Sequence, residues 1–477
     1  MKRIVSLALF LVLGLSLALP MPVEAQATSQ TWSSSITYYT PSATGGEMMV
    51  MYYDGATTYS TPSFPLEAHK AGSVAVGSVS GMPTGFKGSA VISASVPVIA
   101  TSVMFSTANT AQYSRSFYSG FDASKASSTF YLATVRSNGI TTSSFGIQNI
   151  ESFAITATLN FYRVGEVAPA FTHTVNIPAS AAYVAKISDV PGYPGNPFDG
   201  SLVISATKQG DATTPGKVVA TAYETQDSGR GVFAYEGTGS GSNKVYSASA
   251  SCMRGPSQAT TYFAIQNADT TDASVSIEYF NTAGLSVGTA GPFTISAGGK
   301  LQSNPCQQNF LVGELGSAVF SSTGGKIIVI GKYQGTDGLI TAFTGESEGA
   351  TKLGAPYIRW APNPNTNWSS FIAVMNVGTA PATNVIARYY DATGTLRAEI
   401  PLATVAAPLN QFVKVNTNPS TAGALVDGGF GYSPSTGGAL EIVSDQPLVA
   451  VVRLTTNPLG IPGTTTLGED YNMVPIP

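Results

Sequence analysis

Two histidines, His69 and His173, and two cysteines, Cys252 and Cys306, are the residues of this 477-residue chain best suited to chemistry near neutral pH. A catalytic base needs partners that converge on it, and the two histidines lie in different stretches of the chain. His173 alternates within an apolar run and reads as a surface position of a strand. No HExxH, GxSxG or glycine-rich phosphate loop occurs. Glycoside hydrolysis takes two carboxylates across a cleft. The acids here are thinly spread and mark turns, as at Asp54, Asp337, Asp391 and Asp427. Asp269 and Asp272 have a spacing that can touch Ca²⁺ but fit no EF-hand, and they too read as turn residues. The expectation is no catalytic residue, no metal site, no cofactor and no enzymatic activity.

The cysteines carry a different chemistry. An even pair within one repeat of an exported protein reads as a disulfide. Closing a loop of about 55 residues contributes about 4 kcal/mol in the chain-entropy model. Two free thiols are the other reading. Zinc is disfavoured because no histidine lies near either cysteine.

Four stretches of the chain are versions of one another. Each has an alternating apolar run that closes on an aromatic pair: Tyr52-Tyr53, Phe161-Tyr162, Tyr279-Phe280 and Tyr389-Tyr390. Each then has a glycine-led run: Gly88-Ser89-Ala90-Val91-Ile92, Gly200-Ser201-Leu202-Val203-Ile204, Gly316-Ser317-Ala318-Val319-Phe320 and Gly438-Ala439-Leu440-Glu441-Ile442. The period is about 110 residues, too long for a solenoid unit and right for a small all-β domain. Repeat two is the clearest, with roughly seven short strands and period-two alternation, as in Ile155, Ala157, Leu159 and Phe161. Phe263-Ala264-Ile265-Gln266-Asn267 matches Phe145-Gly146-Ile147-Gln148-Asn149, and Phe371–Asn376 is a looser version. The fold expected is all-β: four tandem Ig-like antiparallel sandwiches over 28–112, 125–235, 243–345 and 352–460, with a tail over 461–477.

In each aromatic pair the first member is in phase with the buried face. The second members, Tyr53, Tyr162, Phe280 and Tyr390, fall on the outer face. They read as exposed aromatic contacts, serving cross-strand packing, contact between repeats, or stacking on sugar rings.

The first residues have the form of a secretory leader. Lys2 and Arg3 precede the apolar stretch Ile4–Leu19, which is shorter than the ~20 residues of a membrane span. Val23-Glu24-Ala25 resembles a cleavage site, with Ala25-Gln26-Ala27 as an alternative. The expectation is a signal peptide over 1–25, then a secreted or cell-surface chain with no membrane insertion after cleavage. Charged residues are 10% and the net charge is −4, with no basic patch, which disfavours nucleic acid. Asn367-Trp368-Ser369 is a formal glycosylation sequon.

The repeated strand grammar resembles the tandem β-sandwich modules of secreted bacterial surface proteins. That resemblance implies a location and an architecture and assigns no ligand. The ends of the repeats are uneven. Repeats two, three and four open with a strand, at Phe130–Arg136, Val245–Arg254 and Gly354–Arg359. Repeat one lacks one, while the chain finishes in Tyr471-Asn472-Met473-Val474-Pro475-Ile476-Pro477, which looks like a spare opening strand. The arrangement resembles the donor-strand complementation of fimbrial subunits. On that resemblance Tyr471, Met473, Val474 and Ile476 form a polymerisation strand, inserted into repeat one of the next copy to build a head-to-tail filament or surface layer. Insertion within one molecule would close a ring of four repeats. If the tail instead completes repeat four, repeat one is a shortened cap. The alternative function is a monomeric adhesin that binds extracellular glycan through the outer aromatics.

Overall fold

The computed structural model describes residues 32–55, 57–106, 115–226, 232–361, 368–402, 412–416, 438–456 and 467–477. They form an all-β protein of antiparallel sheets, with short 3-10 turns between strands. Strand alternation follows the sequence pattern. Along Ile155–Arg163, Ile155, Ala157, Leu159 and Phe161 are buried and the residues between them are not. Every first member of the aromatic pairs is buried: Tyr52, Phe161, Tyr279 and Tyr389.

One strand plan recurs. A return strand lies beside the strand that carries the aromatic pair. These return strands are Ser89–Ala94, Phe198–Lys208, Leu315–Gly324 and the first part of Gly438–Thr456. In repeats two, three and four the other edge of the return strand pairs with an opening strand: Thr129–Ser137, Lys244–Ser251 and Ala350–Ile358. On the second face a further strand (Trp32–Tyr39, Thr141–Asn149, Thr260–Asn267, Trp368–Asn376) pairs with a hairpin strand (Ile99–Ser106, Val218–Gln226, Ile327–Gln334 and the later part of Gly438–Thr456). This second sheet is separate in repeats one and three and continuous with the first, in one nine-stranded sheet, in repeats two and four. The hairpin strand then pairs with a closing strand: Arg115–Ser119, Val232–Glu236, Ile340–Thr344 and Leu467–Asn472.

Two sequence motifs gain a physical cause here. The glycine of the glycine-led run crosses the carbonyl of the second aromatic. A Cβ at Gly88, Gly200 or Gly316 would lie 2.0, 1.8 or 2.0 Å from the oxygen of Tyr53, Tyr162 or Phe280. Only glycine permits that approach. The asparagine of the Phe-x-Ile-Gln-Asn run clips the next turn. Asn149 Nδ2 donates to the carbonyls of Phe153 and Pro178 at 2.8 and 2.9 Å, and Asn267 Nδ2 to those of Thr271 and Ile295 at 2.7 and 2.9 Å. Asn376 Nδ2 donates to Ala380 O at 2.8 Å.

Buried cores cross from one repeat to the next. The core of repeat two continues into Ile328, Ile330 and Ala342 of repeat three. That of repeat three continues into Met375, Val449 and Val451 of repeat four. That of repeat four continues into Val103 and Phe117 of repeat one. Repeat one has a small core of its own, Ile36, Met48, Val50, Tyr52 and Leu66. Among the described residues no buried cluster joins repeats one and two.

The tail differs from the expected spare opening strand. Leu467–Asn472 pairs with the strand ending at Thr456, with Val451 opposite Asn472, and so is the closing strand of repeat four. Val474 and Pro475 then pair with Gly354 and Leu353 of that repeat's opening strand. Residues expected to polymerise are therefore engaged within their own chain: Tyr471, Met473 and Ile476 are buried and Val474 is half-buried. The physical reason is that each hairpin strand has an edge that needs a partner, and 467–472 is the next described stretch after it. Likewise Arg115–Ser119 extends repeat one beyond 112.

Candidate functional site: the column of closing strands

The closing strands of the four repeats pack against one another in succession, one to two, two to three, three to four and four to one. Pairing with the hairpin strands fixes their register. Ser119, Glu236, Thr344 and Asn472 occupy equivalent positions, opposite Thr101, Thr221, Ile330 and Val451. These four residues are hydrogen-bonded into a closed circuit. The Ser119 amide donates to Glu236 Oε1. Thr344 Oγ1 donates to Glu236 Oε2 at 2.9 Å. The Thr344 amide donates to Asn472 Oδ1 at 3.0 Å, and Asn472 Nδ2 returns a bond to Thr344 O at 2.7 Å. Ser119 Oγ donates to Asn472 O at 3.1 Å and completes the circuit. Asn472 Nδ2 also reaches Glu346 Oε1 at 2.5 Å. Burial pushes the carboxyl of Glu236 up and that of Glu346 up to about 7.

Charged groups line two junctions. Between repeats two and three, Lys332 Nζ meets Glu224 at 2.6 Å and Lys300 Nζ meets Asp199 at 2.5 Å. Both ammonium groups donate to Thr134 Oγ1 at 3.0 Å, and Arg136 bridges to Asp199 at 3.1 Å. Burial pulls Lys332 down to about 7, against the pull of Glu224 in the other direction. Between repeats four and one, Arg115 meets Glu469 at 2.5 Å and Tyr39 Oη donates to Glu441 Oε1 at 2.8 Å. Burial raises Glu469 to about 7 although Arg115 opposes it.

Of the readings open for the outer aromatics, contact between strands and repeats fits their placement, and an open sugar-stacking surface does not. Phe280 and Tyr390 are buried, and Tyr53 and Tyr162 are half-buried. Tyr390 stacks on His69 of repeat one at 4.6 Å and 10°. The Tyr162 ring packs against Gly298 of repeat three, where a Cβ would lie 2.8 Å from it. Phe280 belongs to the core that continues into repeat four. At Tyr162, Phe280 and Tyr390 the outward face of the strand is met by a neighbouring repeat.

Cys252 and Cys306 are bonded, with Cα atoms 5.1 Å apart. Cys252 follows the opening strand Lys244–Ser251, so the bond ties that strand's end to its own repeat. Asp54, Asp269 and Asp391 accept amides of their own turns, from Thr57, Thr270 and Thr393 at 2.8, 2.7 and 2.9 Å. Asp337 does the same for Leu339 at 3.1 Å. Asp427 and Asn367 lie outside the described residues. His173 is half-buried in the strand Phe171–Ile177.

A cleft of about 500 Å³ lies between repeats three and four, lined by Arg254, Tyr333, Asp337, Phe371 and Arg453 among others. The Arg453 guanidinium covers the Tyr333 ring at 3.5 Å. Asp337 is the one carboxylate among its described lining residues.

The circuit residues escape a reading of the sequence because serine, glutamate, threonine and asparagine share no side-chain type. The available signal is the aromatic–polar–glycine triplet of the first three repeats, Tyr118-Ser119-Gly120, Tyr235-Glu236-Gly237 and Phe343-Thr344-Gly345; the fourth keeps only the aromatic–polar pair Tyr471-Asn472, with Met473 in place of the glycine. No model of a known protein family matches the chain, and a search of the curated proteins finds no relative.

Proposed function

We propose that the chain is a secreted, non-enzymatic structural protein of the extracellular space or cell surface. It is built of four tandem Ig-like sandwiches that close on themselves into one rigid unit of a surface layer or filament. The observation that carries this reading is the circuit of Ser119, Glu236, Thr344 and Asn472, which spends one polar residue of every repeat on holding the repeats together. The leader-like residues 1–25 and the charge content of 10% agree with export. Coupling of subunits through the tail does not fit, because Tyr471, Met473 and Ile476 are buried within their own chain. The adhesin reading loses support with the burial of Phe280 and Tyr390.

Negative-stain electron microscopy of the secreted protein tests this. The expected particle is compact and four-lobed, and higher concentration is expected to give ordered arrays without added ligand. An open string of four beads, or a chain retained uncut in the cytoplasm, overturns the reading. Monomers that bind a defined glycan and never assemble favour the adhesin.

A further inference from the structure

Among the described residues, repeat one keeps the return strand but shows no strand covering its other edge. Among the described residues Ser89–Ala94 pairs on one edge only, with Gly46–Tyr53. Register makes Ala90, Ile92 and Ala94 the counterparts of Leu202, Ile204 and Ala206 in repeat two. Those three are 0%, 0% and 2% exposed, and Ala318 and Phe320 of repeat three and Leu440 and Ile442 of repeat four are fully buried as well. In repeat one, by contrast, Ala90 and Ile92 are half-buried and Ala94 is exposed. The missing cover is backbone as well as side chain. The Ser95 amide donates to Glu47 O at 3.0 Å, so alternation turns the amides of Ala90, Ile92 and Ala94 away from their partner strand. At the equivalent place in repeat two, the Ala206 amide donates to Ser128 O at 2.8 Å, just ahead of the opening strand.

The site is a junction as well as an edge. The opening strands of repeats two, three and four each pack against the next repeat's second sheet. The strand missing from repeat one would lie against repeat two, at the one junction with no shared buried core among the described residues. Natural proteins blunt exposed edges with charge, proline or bulges. Ser89-Ala90-Val91-Ile92-Ser93-Ala94 has neither charge nor proline, which suits an edge that is meant to be covered.

We propose that Ser89–Ala94 is an acceptor edge at the junction of repeats one and two, and that it takes an extended segment of another protein with large apolar side chains at alternate positions. The opening strand of repeat two supplies the template, with Phe130 and Leu132 facing the core. Among the described residues no strand of this chain is free to fill the edge, and the occupant we commit to is therefore foreign. The inference rests here on the leader cleavage proposed above. Cleavage after Ala25 leaves only residues 26–31 ahead of Trp32, whereas Thr129–Ser137 alone has nine residues. A second copy offers no unengaged strand of this kind among the described residues, because its opening strands and its tail are all paired.

The test uses the secreted protein beginning at Gln26 and a labelled peptide with the sequence of Thr129–Ser137. Expected are saturable one-to-one binding in fluorescence anisotropy and slowed hydrogen exchange at the amides of Ala90, Ile92 and Ala94. A peptide with aspartate at the positions of Phe130 and Leu132 should bind at least tenfold more weakly. Ala94→Pro removes an outward amide without touching the ladder to Gly46–Tyr53, and should weaken binding tenfold or more with an unchanged melting temperature. If that variant does not fold, hydrogen exchange on the unaltered protein decides. Absence of binding, or protection elsewhere, overturns the proposal. So does concentration-dependent dimerisation that the peptide suppresses, since a second copy is then the occupant. N-terminal sequencing that finds Pro20–Ala25 retained, with the edge amides already protected, also overturns it. That result refutes the assumed cleavage without touching the closed-unit reading, which microscopy tests separately.

Discussion

Ser119 and Asn472 are 353 positions apart in the chain and joined by a hydrogen bond, Oγ of one to the backbone oxygen of the other at 3.1 Å. The contact places the last closing strand beside the first and turns four repeats in a row into a closed set.

Asn472 is the circuit member with the most partners, donating to Thr344 O and Glu346 and accepting from the Thr344 amide. Asn472→Ala leaves these groups unsatisfied at about 1–3 kcal/mol. Chemical denaturation should show that loss, and hydrogen exchange should place it in both Ile340–Thr344 and Leu467–Asn472. A loss confined to repeat four would mean that the circuit does not couple repeats.

Removing residues 467–477 takes away the partner of the strand ending at Thr456 and uncovers Phe117, whose ring lies 5.7 Å from that of Tyr471. Limited proteolysis should then cut first in repeats four and one, while repeat two stays resistant. Equal resistance throughout would contradict this placement of the tail.

Glu346 titrates near 7 in the folded chain because burial disfavours its charge, against an ordinary value of 4.5. A carboxyl raised by folding contributes stability that is full below about 4.5 and is lost as pH rises through about 7. Glu346→Gln keeps the acceptor for Asn472 and removes the titration. Melting temperatures between pH 5 and 8 should fall less in the variant than in the native protein. Parallel profiles would exclude this carboxyl as the cause.

Lys332 is the nearest cation to Glu224, and both are buried between repeats two and three. Lys332→Ala should cost about 3–5 kcal/mol, because it strips a buried carboxylate of its closest counter-charge. The double change Lys332→Met with Glu224→Gln should recover most of that. If both proteins melt alike, the pair does not govern this junction.

The disulfide closes a separation of 54 residues, and losing it should cost about 4 kcal/mol. Cys252→Ser should show this in denaturation of repeat three, with an unchanged profile under reducing conditions. Equal stability of variant and oxidised protein would assign the bond no stabilising role.

Much of this architecture is legible in the sequence because it is local. Alternation along Ile155–Arg163 reports one buried face, and the glycines at 88, 200 and 316 report a backbone crossing. The column is not local. It depends on strands about 110 residues apart meeting in register, and hydrogen bonding accepts any mixture of polar side chains there. The tail misleads for a related reason. Val474 and Pro475 do pair with an opening strand, so their pattern is that of an edge, while Gly468-Glu469-Asp470 just ahead of Tyr471 are small or charged and hide the start of the closing strand. The outer aromatics mislead because period two assigns a face of a sheet and says nothing of what covers that face.

The circuit also sets an order on biosynthesis. Arg115–Ser119 is among the first strands to be made, yet its partner Asn472 follows some 350 residues later, tens of seconds at about 5–20 residues per second. Until then Phe117 and Val103 have no tail to cover them, and repeat one exists as an unfinished face. Nascent and truncated chains therefore display the same apolar signal, so a chaperone or protease that recognises it acts as a test of whether translation has reached the final strand.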